Sequence, residues 1–287
     1  ITVLANNYAV TAQQEALTFA TGIQGVSKQA AGITVSLNGE TITEGYVLGS
    51  DNEAVVKVVD GEVVMMGVGT ANVTVSVNGS VIFNLPVSVN EAYIPVRTAA
   101  DLSAIAKNLK GKYILMNNID FEGAEFAAIG TQKVAASAFA GIFDGNGYSI
   151  KNIKPVKSAV SGASNDRSIF GYLSGATIKN LSVIGAEIDG FGGVIGTLVH
   201  NSTIENCYVQ VTVTGTETNG GAQGGKYGEE VGALVWRTQS GATIKNCITN
   251  VTVAEKKKTK NIGAIVGMHI GTMQNCQAIV TGATFEN

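Results

Sequence analysis

The sequence predicts a mainly β chain in which a small antiparallel sandwich, residues 1–92, precedes a solenoid of stacked parallel coils, residues 93–287. Three observations carry that prediction. A word of the form Ile-x-Asn recurs along the second half; short alternating strands with hairpin dipeptides fill the first ninety residues; and 36 glycines against 3 prolines suit many strands joined by tight turns.

The repeat comes first because it decides the architecture. Five segments share the word: Ile150-Lys151-Asn152-Ile153, Ile178-Lys179-Asn180-Leu181, Ile204-Glu205-Asn206-Cys207, Ile244-Lys245-Asn246-Cys247 and Met273-Gln274-Asn275-Cys276. Their asparagines are 28, 26, 40 and 29 residues apart. Between them runs a second ladder: Ser168-Ile169-Phe170-Gly171, Gly193-Val194-Ile195-Gly196, Ala233-Leu234-Val235-Trp236 and Ala264-Ile265-Val266-Gly267. After each Asn the apolar residues alternate, as in Cys207, Val209, Val211 and Val213, which is the signature of a half-buried strand. Ile204 and Cys207 lie three apart, so both face inward only if the chain bends at Glu205-Asn206. Asn tolerates the left-handed backbone such a bend needs, and stacked asparagines can hydrogen-bond from coil to coil. Cys207, Cys247 and Cys276 then form an internal column of free thiols, since Cys packs as a small apolar residue. Their spacing holds no CxxC pair of the kind a structural zinc uses.

Thr98-Ala99-Ala100-Asp101 reads as a capping box opening a short helix that ends near Gly111, with Leu102, Ile105, Ala106 and Leu109 as its apolar stripe. Residues 93–111 stand where a solenoid needs its first coil covered. Phe143-Asp144-Gly145-Asn146-Gly147-Tyr148 is read as a tight turn rather than a calcium loop, because Tyr148 occupies a position that would need an oxygen ligand. In the N-terminal region, strands are expected at 33–37, 54–59, 62–66, 72–77 and 81–89, with Asp60-Gly61 and Asn78-Gly79 as hairpin signals.

Two resemblances extend this reading. The words Gly193-Val194-Ile195-Gly196 and Gly263-Ala264-Ile265-Val266-Gly267, each followed by an Ile/Met-x-Asn-Cys strand, resemble the GLUG repeat of bacterial surface proteins over residues 165–280. That resemblance implies a right-handed parallel β-helix on an exported, often adhesive protein, and it carries no catalytic residues. Trp236 stands where the GLUG pattern has Gly, which implies a widened corner there. The stretch from Ser50-Asp51-Asn52-Glu53 through Asp60-Gly61 to Gly67-Val68-Gly69-Thr70-Ala71-Asn72 resembles the bacterial Ig-like group 2 (BIG2) domain, with Leu48 where that family has Trp. It implies an Ig-like β-sandwich of the spacer and adhesion kind.

Composition limits the function classes. With 19 basic and 22 acidic residues the net charge is −3, so no overall field gathers nucleic acid or an anionic membrane. The apolar runs are far too short to span a bilayer, so no membrane insertion is expected. Ile1 in place of Met is read as the start of a mature chain whose targeting segment has gone.

Catalysis on a coiled β scaffold needs carboxylates gathered on one face. The acidic residues Asp166, Glu187, Asp189, Glu205, Glu217, Glu229, Glu230 and Glu255 do not repeat in a column. Glu187 and Asp189 are the best pair available. His200 and His269 are expected in one column, two coils apart and too distant to share a metal. Trp236 with Arg237 offers an aromatic face beside a cationic donor, a combination that suits carbohydrate.

The insertions between the two ladders fall on one side of the solenoid, at 214–230 and 254–261, where repeat proteins often bind. Tyr227, Lys256 and Lys258 are therefore the candidate contacts there. The sequence is read as a non-enzymatic extracellular or bacterial cell-surface adhesion module, with no cofactor or metal and with a host glycan or extracellular-matrix protein as partner. A polysaccharide-active lyase or hydrolase and a purely structural stalk are the alternatives.

Overall fold

The computed structural model describes residues 7–131, 135–156, 167–189, 192–215, 231–254 and 262–282. The protein is mainly β, and the chain divides into two compact units, Ile1–Ile94 and Pro95–Asn287.

The first unit holds three small sheets. Tyr8–Ala12, Ile33–Leu37 and Glu40–Ile42 pair antiparallel. Lys28–Ala30, Glu62–Met65 and Val56–Val59 form a second antiparallel group. In the third, Gly69–Val77 lies between Ser80–Val89 and Val47–Ser50. Alternation places Ala71, Val73, Val75 and Val77 inward, and Val73 joins Leu17, Val56, Val63, Met65 and Leu85 in the buried cluster. Both hairpin dipeptides turn as their residue types require, with Asp60 and Asn78 at φ of 51° and 49°. Two pairings depart from the antiparallel expectation: Leu17–Phe19 runs parallel to Ser80–Val89, and Gly22–Ile23 runs parallel to Ala92 and Tyr93. The partners are distant in sequence, so no hairpin dictates their direction.

The second unit opens on the helix Ala99–Ala104. Thr98 Oγ1 accepts from Asp101 N at 3.1 Å, and Asp101 Oδ2 accepts from Thr98 N at 3.0 Å, which completes the capping box. Leu102 and Ile105 are fully buried. The helix stops earlier than Gly111, because a single 3₁₀ turn, Ile105–Lys107, leads to Asn108 in a non-helical conformation. The Asn108 carbonyl accepts instead from Tyr113 Oη at 2.7 Å, and Ala106 is exposed rather than part of the stripe.

Successive coils then stack in parallel register. Face one comprises Lys112–Leu115, Ile142–Asp144, Thr177–Lys179, Thr203–Glu205, Thr243–Lys245 and Thr272–Gln274. Face two comprises Ile119–Asp120, Ser149–Lys151, Ser182–Asp189, Tyr208–Gly215, Ile248–Val253 and Gln277–Thr281. Face three comprises Phe170–Ser174, Gly196–His200, Val235–Thr238 and Val266–Met268, preceded at its corner by Gly192–Gly193, Val231–Gly232 and Ile262–Gly263. Inward columns fill the interior, such as Phe143, Ile178, Ile204 and Ile244 on face one, all fully buried. Aromatic rings close the early coils, with Phe139 and Phe170 centroids 4.8 Å apart.

The asparagine bend forms as its spacing requires. Asn180, Asn206, Asn246 and Asn275 all have φ of 50–53°. Each donates its amide to the preceding coil: Asn275 to Asn246 at 3.3 Å, Asn246 to Asn206 at 3.1 Å, and Asn206 to Asn180 at 3.3 Å. The first word is the exception. Ile150 pairs with Val183 on face two, whereas Ile178 pairs with Phe143 on face one. Asn152 therefore belongs to another corner, where it donates to Asp120 Oδ1 at 2.9 Å. Asn180 instead donates its amide to Asp144 at 3.0 Å, the residue in register with Lys179. Asp144 also accepts from Asn146 N at 2.9 Å, so the Asp-Gly-Asn-Gly word is indeed a turn.

The three thiols are free and follow the Asn column. Cys207 and Cys247 are buried, and Cys276, on the last described coil, is half-buried. Each Sγ donates to the carbonyl two residues back, at 3.2–3.3 Å. Hydrogen bonding with Cys247, followed by burial, pushes the Cys207 thiol well above its ordinary range.

Candidate functional site

Glycine builds the corner that leads into face three. A Cβ on Gly232 would lie 1.7 Å from the Val235 carbonyl oxygen, and one on Gly263 would lie 1.9 Å from that of Val266. No side chain fits there, so Gly193, Gly232 and Gly263 form the obligatory column. This corrects the register of the second ladder. Gly196 pairs with Val235, not Trp236, so Trp236 aligns with Thr197 and Gly267. Trp236 thus keeps the expected alignment with Gly267 and differs by one position only relative to Gly196.

Trp236 and Arg237 are both half-buried. The indole Nε1 and guanidinium Nε are shielded from solvent, while Arg237 stands in register between Leu198 and Met268. Tyr227, Lys256 and Lys258 lie outside the described residues, as do Glu229 and Glu230. The strands that bracket them are described: Tyr208–Gly215 leads to Val231–Gly232, and Ile248–Val253 leads to Ile262–Gly263. Since these strands are neighbours on each side, the inserted segments leave and re-enter at one corner.

The histidines do not share a column. His200 pairs with Ser174, whereas His269 lies beside Thr238, one position earlier. Thr238 Oγ1 accepts from Ile270 N at 2.9 Å and meets His269 Nδ1 at 2.9 Å, so that imidazole is tied into the fold. No cluster of three metal-ligating side chains occurs among the described residues, and no described helix is long and apolar enough to cross a membrane.

Two outward surfaces went unread in the sequence. On face one, Asp144, Lys179, Glu205 and Lys245 stack in register with alternating sign. Lys179 Nζ lies 3.3 Å from Asp144 Oδ2, and Lys245 Nζ lies 2.7 Å from Glu205 Oε2. On face two, the strands Tyr208–Gly215, Ile248–Val253 and Gln277–Thr281 carry no charged residue. Their outward rows are Tyr208, Ile248 and Gln277; Gln210, Asn250 and Ile279; and Thr212, Thr252 and Thr281. The alternation that identified Val209, Val211 and Val213 as core holds the signal for these rows, because the residues between must face out.

No protein-family description matches the chain. A 142-residue stretch is 33% identical to part of halomucin from Haloquadratum walsbyi, covering 45% of this chain and 2% of that protein. Among solved structures, an IgA1 protease superposes with a TM-score of 0.42 and 14% identity, over 96% of this chain and 21% of that one. The chain therefore spans only a small part of the length of both of these proteins.

Proposed function

We propose that the chain is a non-enzymatic extracellular surface module, in which a bacterial Ig-like group 2 domain carries a right-handed parallel β-helix of the GLUG type. In this reading the helix is a rigid scaffold for binding a host glycan or a matrix protein. The single observation that carries it is the shared corner. Consecutive coils keep their core strands in parallel register, shifted only within Ser182–Asp189 among these pairings, while the insertions after Tyr208–Gly215 and Ile248–Val253 leave between face two and the glycine column. A scaffold whose long insertions gather at one corner suits presentation of loops to a partner.

The similarity to a short stretch of the much longer halomucin supports a modular reading. The alternating face-one charges, by contrast, support a structural role for the acidic residues there: Asp144 and Glu205 are each paired with lysine.

The test is an array of immobilised glycans and matrix proteins, run beside a polysaccharide-degradation screen. Saturable binding without release of reducing ends or unsaturated uronides is the expected result. Release that a single Asp or Glu substitution abolishes would overturn the proposal in favour of an enzyme.

A further inference from the structure

We propose that the outer side of face two, over the strands Tyr208–Gly215, Ile248–Val253 and Gln277–Thr281, is a platform for a neutral polysaccharide chain. The proposal rests on the reading of the protein as a surface-binding module, but places the contact on a strand face rather than in the inserted segments.

Rigidity is the first argument. The inward partners Val209, Val211, Val213 and Val251 are buried, so the outward side chains of Tyr208–Gly215 and Ile248–Val253 stand on a packed core in fixed register, while Gln277–Thr281 extends the sheet as a strand exposed on both sides. Neighbouring rows repeat at the strand spacing of about 4.8 Å. A platform of this kind meets an extended chain without ordering a loop, which lowers the entropic cost of binding.

Chemistry is the second. Gln210 and Asn250 lie side by side and offer amide donors and acceptors. Thr212, Thr252 and Thr281 offer hydroxyls, and those of Thr252 and Thr281 lie 3.2 Å apart. Interleaved with them are Tyr208 and two exposed isoleucines, Ile248 at 42% and Ile279 at 57%. Hydroxyl-matching groups beside small apolar surfaces suit a sugar, which presents hydroxyl edges and C–H faces at once. The apolar area is divided among polar neighbours, which is unlike the continuous apolar core of a protein–protein interface.

Charge is the third, and it selects the class. Face one carries Lys179, Glu205 and Lys245, whereas these three face-two strands carry no charged residue. Glu187, in register with Thr212, bounds the platform on the preceding coil. A uronate or sulfate group would be partly desolvated here with no cation on these three described strands to compensate, so the strand surface favours uncharged glycans.

Affinity electrophoresis of the whole chain through gels containing dextran, laminarin or galactomannan tests this, with polygalacturonate as the charged control. Retardation by at least one neutral polymer is expected, and it should persist at high salt. The double variant Gln210→Ala, Asn250→Ala should weaken it at least about tenfold, in line with loss of two hydrogen-bonding side chains. Both side chains face outward, so its thermal midpoint should match the parent's. Retardation by none of the three neutral polymers, unchanged retardation of the double variant, or salt-sensitive retardation by polygalacturonate alone would each overturn the platform. Self-association that the same variant abolishes would also overturn it, assigning the face to a second copy. Array binding that survives the double variant but is lost on deleting residues 220–228 would overturn the platform while leaving the surface-module reading intact.

Discussion

Asn180 donates its side-chain amide to Asp144 Oδ1 at 3.0 Å, and Asp144 has no amide with which to continue the series. The asparagine column is thus a directed chain of hydrogen bonds that terminates on a carboxylate. Every amide donates toward the N-terminal coil, and Asp144 is the acceptor of last resort. Asp144 further accepts from Asn146 N and faces Lys179 Nζ, so one residue fixes the turn, the column and the first ion pair.

Asp144→Ala should accordingly cost about 1–3 kcal/mol, because it leaves a half-buried amide donor unmatched. Asp144→Asn keeps an acceptor oxygen and loses the ion pair, whose contribution is about 0–1 kcal/mol. Urea unfolding of both variants checks this. Equal losses from the two would contradict the terminal-acceptor role.

Gly232→Ala should be much more damaging than its size suggests. Its Cβ would meet the Val235 carbonyl oxygen at 1.7 Å and Gly267 N at 2.7 Å, both on backbone that cannot swing aside. A loss of about 3 kcal/mol or more is expected. Gly147→Ala is the contrast: it has a φ of 77° and open space around it, so it should cost only about 1 kcal/mol.

Thiol titration should separate the cysteines. Cys276, half-buried on the last described coil, should react first under native conditions, and Cys207 and Cys247 only on unfolding. Burial raises the Cys276 thiol as well, so its rate should keep climbing above the ordinary thiol range. Rapid native labelling of Cys207, or a disulfide between any two, would be the contrary outcome.

Acid should loosen the helix cap. The backbone N–H of Arg97, chiefly, and then the hydroxyl and N–H of Thr98 hold the Asp101 carboxyl below its ordinary value of 3.8. A depressed folded pKa contributes stability that is present above the ordinary value and is lost as pH falls through the folded one. Asp101→Asn should therefore lower the thermal midpoint slightly at neutral pH, and the gap from the parent should close in strong acid. A constant gap would rule out the carboxylate as its source.

Much of the fold was legible because parallel coils repeat their chemistry at fixed positions. The bend at Asn206 followed from two inward residues three apart, and the inward strand from Cys207 to Val213 followed from period-two alternation. What misled was a word shared by two different corners. Ile150-Lys151-Asn152 and Ile178-Lys179-Asn180 read alike because both corners need a left-handed residue with an amide, yet they occupy different faces. Only the pairing of strands separates them. The register of Trp236 was obscured for a similar reason. The words around Gly193 and Gly232 can be aligned on either their first or last residue, and the steric demand that selects the first is invisible in one dimension. Of the candidate contacts, Trp236 and Arg237 are half-buried on face three, while the uncharged rows of face two were hidden in plain alternation.

The directed asparagine column has a consequence for how such a chain changes over generations. Each rung both gives and receives through the same kind of group, so a coil can be duplicated or excised between Asn180 and Asn275 without altering the chemistry of the coils on either side. Only the carboxylate at position 144 is singular. Length is thereby uncoupled from foldability: the repeat number is free to drift, and selection can tune how far the scaffold reaches while the rules that fold it stay constant.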